Sequence, residues 1–202
     1  MRGRFIVVEG IDGSGKSTLA GRLADHLQTR GRRVLRTREP GGTPLSEKIR
    51  ALLLDPANAA MVPWTEFFLY MASRAQLVEE VVRPALAAGT VVLCDRYYYS
   101  TAAYQGAAGR IGLPVVLDVA RRVARFQRPD LVLLLDLPPR VARRRDGDRR
   151  DRVESKGAGY QERVRRGFLR MARGERRFKV IDASLPADEV FELAREAVDR
   201  AV

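Results

Sequence analysis

An apolar run, Phe5-Ile6-Val7-Val8, is followed by Gly10-Ile11-Asp12-Gly13-Ser14-Gly15-Lys16-Ser17, and that in turn by leucines at 19, 23 and 27. The first run reads as a short buried strand and the leucine spacing as a helix from about Ser17 to Arg30. Between them the glycines leave successive backbone N–H groups free to turn inward around an anion, and the start of the helix adds its positive end. A bare turn has no use for Lys-Ser at a helix start. In a phosphate-binding loop Lys16 reaches the β- and γ-phosphates and the Ser17 hydroxyl holds magnesium. The sequence thus predicts a nucleoside triphosphate site at Gly10, Ile11, Asp12, Gly13, Ser14, Gly15, Lys16, Ser17 and Thr18.

A strand–loop–helix unit of this kind belongs in a parallel sheet, and the rest of the chain agrees. Apolar runs at 34–38, 90–95, 131–136 and 178–182 alternate with helical patterns near 45–54, 65–88, 98–105, 114–127, 139 onward, 160–173 and 187–200. Strands that are apolar along their whole length are covered on both faces. The expected class is α/β: a P-loop NTPase fold with a five-stranded parallel sheet, as a single domain over 1–202. With 46% hydrophobic residues in 202, the core is large enough for one such domain.

Thirty-seven Lys and Arg against 25 Asp and Glu give a formal charge of +12, which calls for an anionic partner. Nucleic acid and nucleotide phosphate are the candidates. A nucleic-acid-binding ATPase would interleave its basic residues with exposed aromatics, but 121–177 holds only Phe126, Tyr160 and Phe168, none beside the arginine cluster. That favours nucleotide phosphate and no nucleic acid partner. Cys94 is the one cysteine, which excludes an internal disulfide framework and fits a reducing compartment. Glu9 interrupts the first apolar stretch before a signal-peptide core could form, and no apolar run reaches membrane-helix length, so a cytoplasmic protein without a membrane partner is expected.

Phosphate-binding loops occur in motors, switches, transporters and kinases. Size favours a small-molecule kinase, with the acceptor open among nucleoside monophosphates and deoxynucleosides. Ligands of such folds bind at the carboxyl ends of the strands. Arg38-Glu39-Pro40-Gly41-Gly42-Thr43-Pro44 follows the second strand there, and Cys94-Asp95-Arg96-Tyr97-Tyr98-Tyr99-Ser100 follows the third. Asp95 is placed to hold a magnesium water shell and Arg96 to clamp a phosphate. Tyr70 and Arg74, four apart on a helix, share a face that suits stacking on a base and bonding its edge. Trp64, Phe67 and Phe68 are expected in the core, and His26 on the surface or partly buried, without a neighbouring acid. With no cysteine–histidine cluster, structural zinc is not expected.

EGIDGSGKST, REPGGTPLSEKIR, Arg74-Ala75-Gln76, DRYYYSTAAYQG, RPDLVLLLDLPP and DRVE, in this order and spacing, make the chain resemble the thymidylate kinase family over nearly its whole length. That resemblance implies transfer of the γ-phosphoryl group of ATP to the 5′-phosphate of dTMP, with magnesium, in a homodimer. It implies Arg38 and Arg96 near the acceptor phosphate and Arg74 near the base. Tyr70 would stack on thymine where the family usually has phenylalanine, Thr101 and Gln105 would lie near the base edge, and Tyr104 would abut the sugar. Asp12 would sit by the 3′-hydroxyl, and Glu9 would support the metal or the acceptor site.

Phosphoryl transfer needs the charge on the moving group neutralised, and a mobile segment can supply the last cation. The stretch 139–152 holds seven arginines, so a lid is expected at about 140–158. Members of the family without an arginine in the phosphate-binding loop tend to supply it from the lid. Of Arg143, Arg144, Arg145, Arg149, Arg150 and Arg152, Arg149 and Arg152 are the expected catalytic pair, Arg152 for its place in DRVE and Arg149 for lying one helical turn before it.

Overall fold

A computed structural model describes residues 3–146, 152 and 157–202. Five strands form one parallel sheet: β1 (Phe5–Gly10), β2 (Val34–Arg38), β3 (Val91–Asp95), β4 (Leu131–Asp136) and β5 (Phe178–Asp182), in the spatial order β2-β3-β1-β4-β5. All five fall where the apolar runs predict. Phe5, Ile6, Val7 and Val8 are fully buried because β1 has a neighbour on each edge and helices over each face.

The helices are α1 (Lys16–Thr29), α2 (Pro44–Leu54), α3 (Pro63–Leu77), α4 (Arg83–Ala87), α5 (Tyr98–Thr101), α6 (Leu113–Val123), α7 (Pro139–Asp146), α8 (Ala158–Ala172) and α9 (Ala187–Ala201). The crossover through α1 runs one way along the sheet and that through α8 the other. Right-handed connections therefore set them on opposite faces. α9 returns to pack against α1, β4 and β5.

Two stretches widen into π-helical turns, Val78–Val82 between α3 and α4 and Ala102–Ala107 after α5. The helix expected over 65–88 therefore runs as two helices joined by a wide turn. Pro84 explains it: a proline has no N–H to offer the carbonyl four residues back, and its ring crowds that carbonyl. The second wide turn carries Tyr104 and Gln105, both buried.

Three expectations change. Phe67 is core, but Trp64 and Phe68 are 48% and 58% exposed and lie against one another on the outer face of α3. The three rings share one stripe of the helix and touch one another, but Phe67 and Phe68 stand about 100° apart around its axis, so Phe67 turns to the core while Phe68 and Trp64 face outward. His26 does have an acidic neighbour, with Nε2 2.9 Å from Asp199 Oδ1, because α9 brings that residue across 173 positions of sequence. Among the described residues no helix is long and apolar enough to cross a membrane.

The strand order has a measurable consequence. Leu133, fully buried in the inner strand β4, should cost about 2–5 kcal/mol on truncation to Ala. Val180, 42% exposed on edge strand β5, should cost less than about 1 kcal/mol for the same change. Urea midpoints of L133A and V180A give the comparison.

Candidate active site

Parallel strands bring the carboxyl ends of β1, β2 and β3 to one rim, with Val8 paired to Asp95 and Arg38 to Asp95 from either side. The loop after β1 turns through Gly13, at φ 72°, where a Cβ would stand 2.6 Å from the Ala142 carbonyl of α7. Only glycine lets α7 lie so close over this loop. Gly15, at φ 91°, then starts α1.

Lys16 folds back over the loop and donates from Nζ to the Ile11 carbonyl at 2.8 Å. Burial, with Arg96 nearby as a second cause, pushes its ammonium down to about 8. Ser17 Oγ donates to Asp95 Oδ2 at 2.5 Å, while Asp95 Oδ1 is buried without a hydrogen-bond partner among the described residues. A hydroxyl beside a carboxylate with a spare oxygen is a donor set for a hard cation such as magnesium, which takes one or two protein groups and fills the rest with water and phosphate. No group of three or more acids, histidines and cysteines gathers among the described residues. Gly13, Gly15, Lys16, Ser17, Thr18, Arg38, Asp95 and Arg145 are among the residues lining this cleft of ≈ 490 Å³.

Arg96 stands at φ 69° and is largely enclosed. Its Nη1 donates to the Gly10 carbonyl at 2.9 Å and to Ser100 Oγ at 3.1 Å, and its Nη2 donates to Asp12 Oδ1. The other oxygen of Asp12 accepts from the Tyr104 hydroxyl at 2.9 Å. Burial alone would raise the Asp12 carboxyl, but Arg96 and Lys16 hold it below its ordinary value. Burial and the same carboxylate push the Tyr104 phenol well up.

On the far side of Arg96 lies a second cavity of ≈ 130 Å³, walled by Tyr70, Arg74, Tyr97, Thr101, Tyr104 and Gln105 among others. Arg74 is buried and held by Glu39, to which its Nε donates at 2.9 Å, and by Thr101 Oγ1 at 2.9 Å from Nη2. Burial raises the Glu39 carboxyl, with Arg74 opposing. Four residues line both cavities: Asp12, Glu39, Arg50 and Arg96. The two spaces therefore meet end to end.

The structure brings Asp12, Lys16, Ser17, Asp95 and Arg96 together as expected, and collects Tyr70, Arg74, Thr101, Tyr104 and Gln105 around one pocket. Arg38 lines the phosphate cleft, half-exposed, with Glu47 3.1 Å away. Of the two roles expected for Glu9, at the metal or in support of the acceptor site, its contacts agree with the second. It is fully enclosed, and its oxygens accept from Tyr97 N at 2.9 Å, Ser100 N at 3.1 Å and Ser100 Oγ at 2.6 Å, which braces the segment that carries Arg96. Arg152 turns elsewhere. It is buried against Glu66 of α3, with Nη1 2.5 Å from Oε2, and donates from Nε to the Leu53 carbonyl at 2.8 Å, at the acceptor end rather than the triphosphate end. Arg149, with the rest of 147–151 and 153–156 of the lid expected at about 140–158, lies outside the described residues.

Two cations at the clefts escaped the sequence reading or were passed over in it. Arg145 lines the triphosphate cleft, tied by Nη1 to the Ala183 carbonyl at 2.9 Å. Arg50 borders both cavities and donates to the Pro40 carbonyl at 2.9 Å, its charge disfavoured by burial and by Arg38. Arg50 closes the stretch REPGGTPLSEKIR on α2, but nothing in that spacing shows its return to Pro40.

A phosphate-binding loop at the carboxyl rim of this sheet, joined to a basic acceptor pocket, defines a P-loop nucleotide kinase. The family model described as "Thymidylate kinase" matches residues 8–194. Proteins named thymidylate kinase from Deinococcus radiodurans and Geobacter sulfurreducens are 47% and 48% identical, covering 94% and 90% of this chain and 93% and 90% of the relatives. One from Symbiobacterium thermophilum is 44% identical, covering 96% of this chain and 92% of the relative. The chain belongs to the thymidylate kinase family.

Glu9 yields a prediction on stability. Burial pushes its carboxyl up to about 7 from 4.5, so between those values the native state keeps a proton that the unfolded chain has released. Stability contributed by this group is present below about pH 4.5 and falls as pH rises to about 7, by about 3 kcal/mol at about 1.36 kcal/mol per pKa unit. Denaturant titrations at pH 5 and pH 8 should show this loss in the wild type, and the Glu9→Gln variant should lack that part of it.

Proposed function

We propose that the protein transfers the γ-phosphoryl group of ATP to the 5′-phosphate of dTMP, giving ADP and dTDP. The observation that carries this reading is the shared wall of the two cavities: a donor on the Lys16 side and an acceptor on the Arg74 side present their phosphates to one another across Arg96. Mutual repulsion of the two anions is the obstacle to such a reaction. Lys16, Arg96, Arg38 and Arg50 oppose it with positive groups already oriented before the nucleotides arrive, which lowers the barrier without reorganisation during transfer.

Ser17 and Asp95 are the residues that would hold magnesium, whose charge neutralises the β- and γ-phosphates. Gly10 to Thr18 supply the backbone cradle. In the acceptor pocket Tyr70 offers a ring face to the base, Arg74, Thr101 and Gln105 its edge contacts, and Asp12 and Tyr104 the contacts to the sugar. Arg145 is the cation of the arginine-rich stretch best supported for the phosphates, since it borders the cleft; Arg149 stands as a second candidate. Tyr104 beside the sugar favours a 2′-deoxy acceptor on steric grounds.

The same reading includes a cytoplasmic homodimer. Trp64 and Phe68 on α3, Leu45 and Leu52 on α2 and Val115 on α6 are large apolar side chains left exposed, and these helices pack beside one another. A patch of this kind is covered in solution more often than left to water.

Initial rates with ATP and magnesium on dTMP, dUMP, AMP, CMP, GMP and thymidine test the reaction. dTMP should be preferred by at least about tenfold, and preference for another acceptor overturns the substrate. Arg145→Ala should lower kcat by about 10²–10³, the scale for a lost transition-state charge contact, with little change in the KM for dTMP. Sedimentation of the Phe68→Glu variant should show monomer where the wild type shows dimer.

A further inference from the structure

Gln105 lies at the inner end of the acceptor pocket, on the wide turn after α5. Its Nε2 donates to Glu66 Oε1 at 2.7 Å, and its Oε1 is buried without a hydrogen-bond partner among the described residues. Glu66 comes from the first turn of α3 and is itself buried. Its second oxygen, Oε2, stands 2.5 Å from Nη1 of Arg152. Arg152 is anchored in turn by its backbone N–H to the Leu54 carbonyl at 3.3 Å and by Nε to the Leu53 carbonyl at 2.8 Å. A buried chain of polar contacts thus runs Arg152, Glu66, Gln105 and ends at the pocket.

We propose that Glu66 is a positioning residue for base selection: it turns the Gln105 amide so that its oxygen meets the acceptor base, which favours a base with a ring N–H over one with a bare ring nitrogen. The argument rests on the reading of this pocket as the dTMP site. A carboxylate accepts hydrogen bonds and has none to give. The NH2 end of Gln105 must therefore face Glu66, and the carbonyl end is the one left for the ligand. Arg152, which has only donors, takes the other oxygen of Glu66, so both carboxylate oxygens are used as acceptors.

Beside Gln105 the pocket wall changes sign. Arg74 has only donors, and Thr101 Oγ1, which accepts from Arg74, keeps its own proton to give. Donors next to an acceptor complement a carbonyl next to a ring N–H, the imide edge of thymine or uracil. Cytosine presents the reverse, an amine beside a bare nitrogen, and sets acceptor against acceptor at Gln105. A buried polar atom left facing its own kind loses its hydrogen bond and its hydration together. Selection of this sort works through unpaired groups rather than through shape.

Glu66→Gln reverses the constraint, since Arg152 takes the oxygen of the new amide and leaves its NH2 end to face Gln105, which then turns its own oxygen away from the base. The variant's preference for dTMP over dCMP, as a ratio of kcat/KM, should fall at least about tenfold, with the KM for dTMP rising more than kcat falls. Glu66→Asp, still acceptor-only, should keep the ratio even if both rates drop. Should Glu66→Gln fail to fold for want of a partner to the buried Arg152, the double variant E66Q/R152Q removes both charges and is measured in its place. An unchanged dTMP/dCMP ratio in the amide variant, or an equal loss in Glu66→Asp, overturns the proposal. A wild-type enzyme active on dTMP alongside either result leaves the reading of the pocket standing, whereas one inactive on dTMP overturns both.

Discussion

Arg96 is the group on which the site depends. Its guanidinium reaches the carbonyl of Gly10, the hydroxyl of Ser100 and the carboxylate of Asp12, and so joins the end of β1, the loop that receives the triphosphate and the segment after β3. A buried cation is costly unless it is paired and its remaining protons are satisfied. Here Asp12 pairs the charge, the Gly10 carbonyl and the Ser100 hydroxyl take further protons, and the arginine stays charged: burial works against its charge, but Asp12, with Tyr104, Asp95 and Glu9, raises its pKa well above the ordinary value. The positive φ of Arg96 belongs to the same arrangement, because the backbone must turn sharply to bring the side chain back over Gly10 while its N–H still bonds the Val8 carbonyl at 2.9 Å.

Asp12 has two duties in consequence. One oxygen neutralises Arg96 and the other orders Tyr104, so an acid in the phosphate-binding loop fixes a side chain of the acceptor pocket. An acid so near the triphosphate would be unfavourable alone. Between Lys16 and Arg96 it remains part of a cluster whose net charge is positive, and the field across the shared wall still favours phosphate. Glu9 supports the arrangement from beneath, since its three accepted hydrogen bonds hold Tyr97 and Ser100 in place and Ser100 then accepts from Arg96.

The sheet was legible in the sequence because each strand is a short apolar run bounded by turn residues, and the phosphate loop because its glycines and Lys-Ser occur in a fixed frame. The rim position of Arg38, Asp95 and Arg96 followed from the direction of parallel strands. Contacts across the sequence were not legible. Glu9 reads as an acid at a strand end whether it faces a metal or the floor beneath an arginine, and only the packing of α5 over β1 decides. Trp64, Phe67 and Phe68 lie too close together for periodicity to say which ring turns inward. His26 gained its acid from a helix 173 residues on. Arg50 lay in plain view at the end of a quoted motif, but its approach to Pro40 depends on how α2 returns across the rim.

The arginine-rich stretch shows why composition leaves such assignments open. Arg145 and Arg152 are chemically identical and seven positions apart, yet one borders the cleft at the phosphate-binding loop and the other is buried against Glu66, behind Gln105 of the second cavity. The partner decides the role. A guanidinium beside a buried carboxylate is held as an ion pair and orders whatever that carboxylate touches, while one tied to a backbone carbonyl among the described residues, as Arg145 is to Ala183, keeps donors for an incoming anion. A single stretch thus sets one arginine at the cleft of the phosphate-binding loop and commits another to the carboxylate that holds Gln105 in the wall of the second cavity.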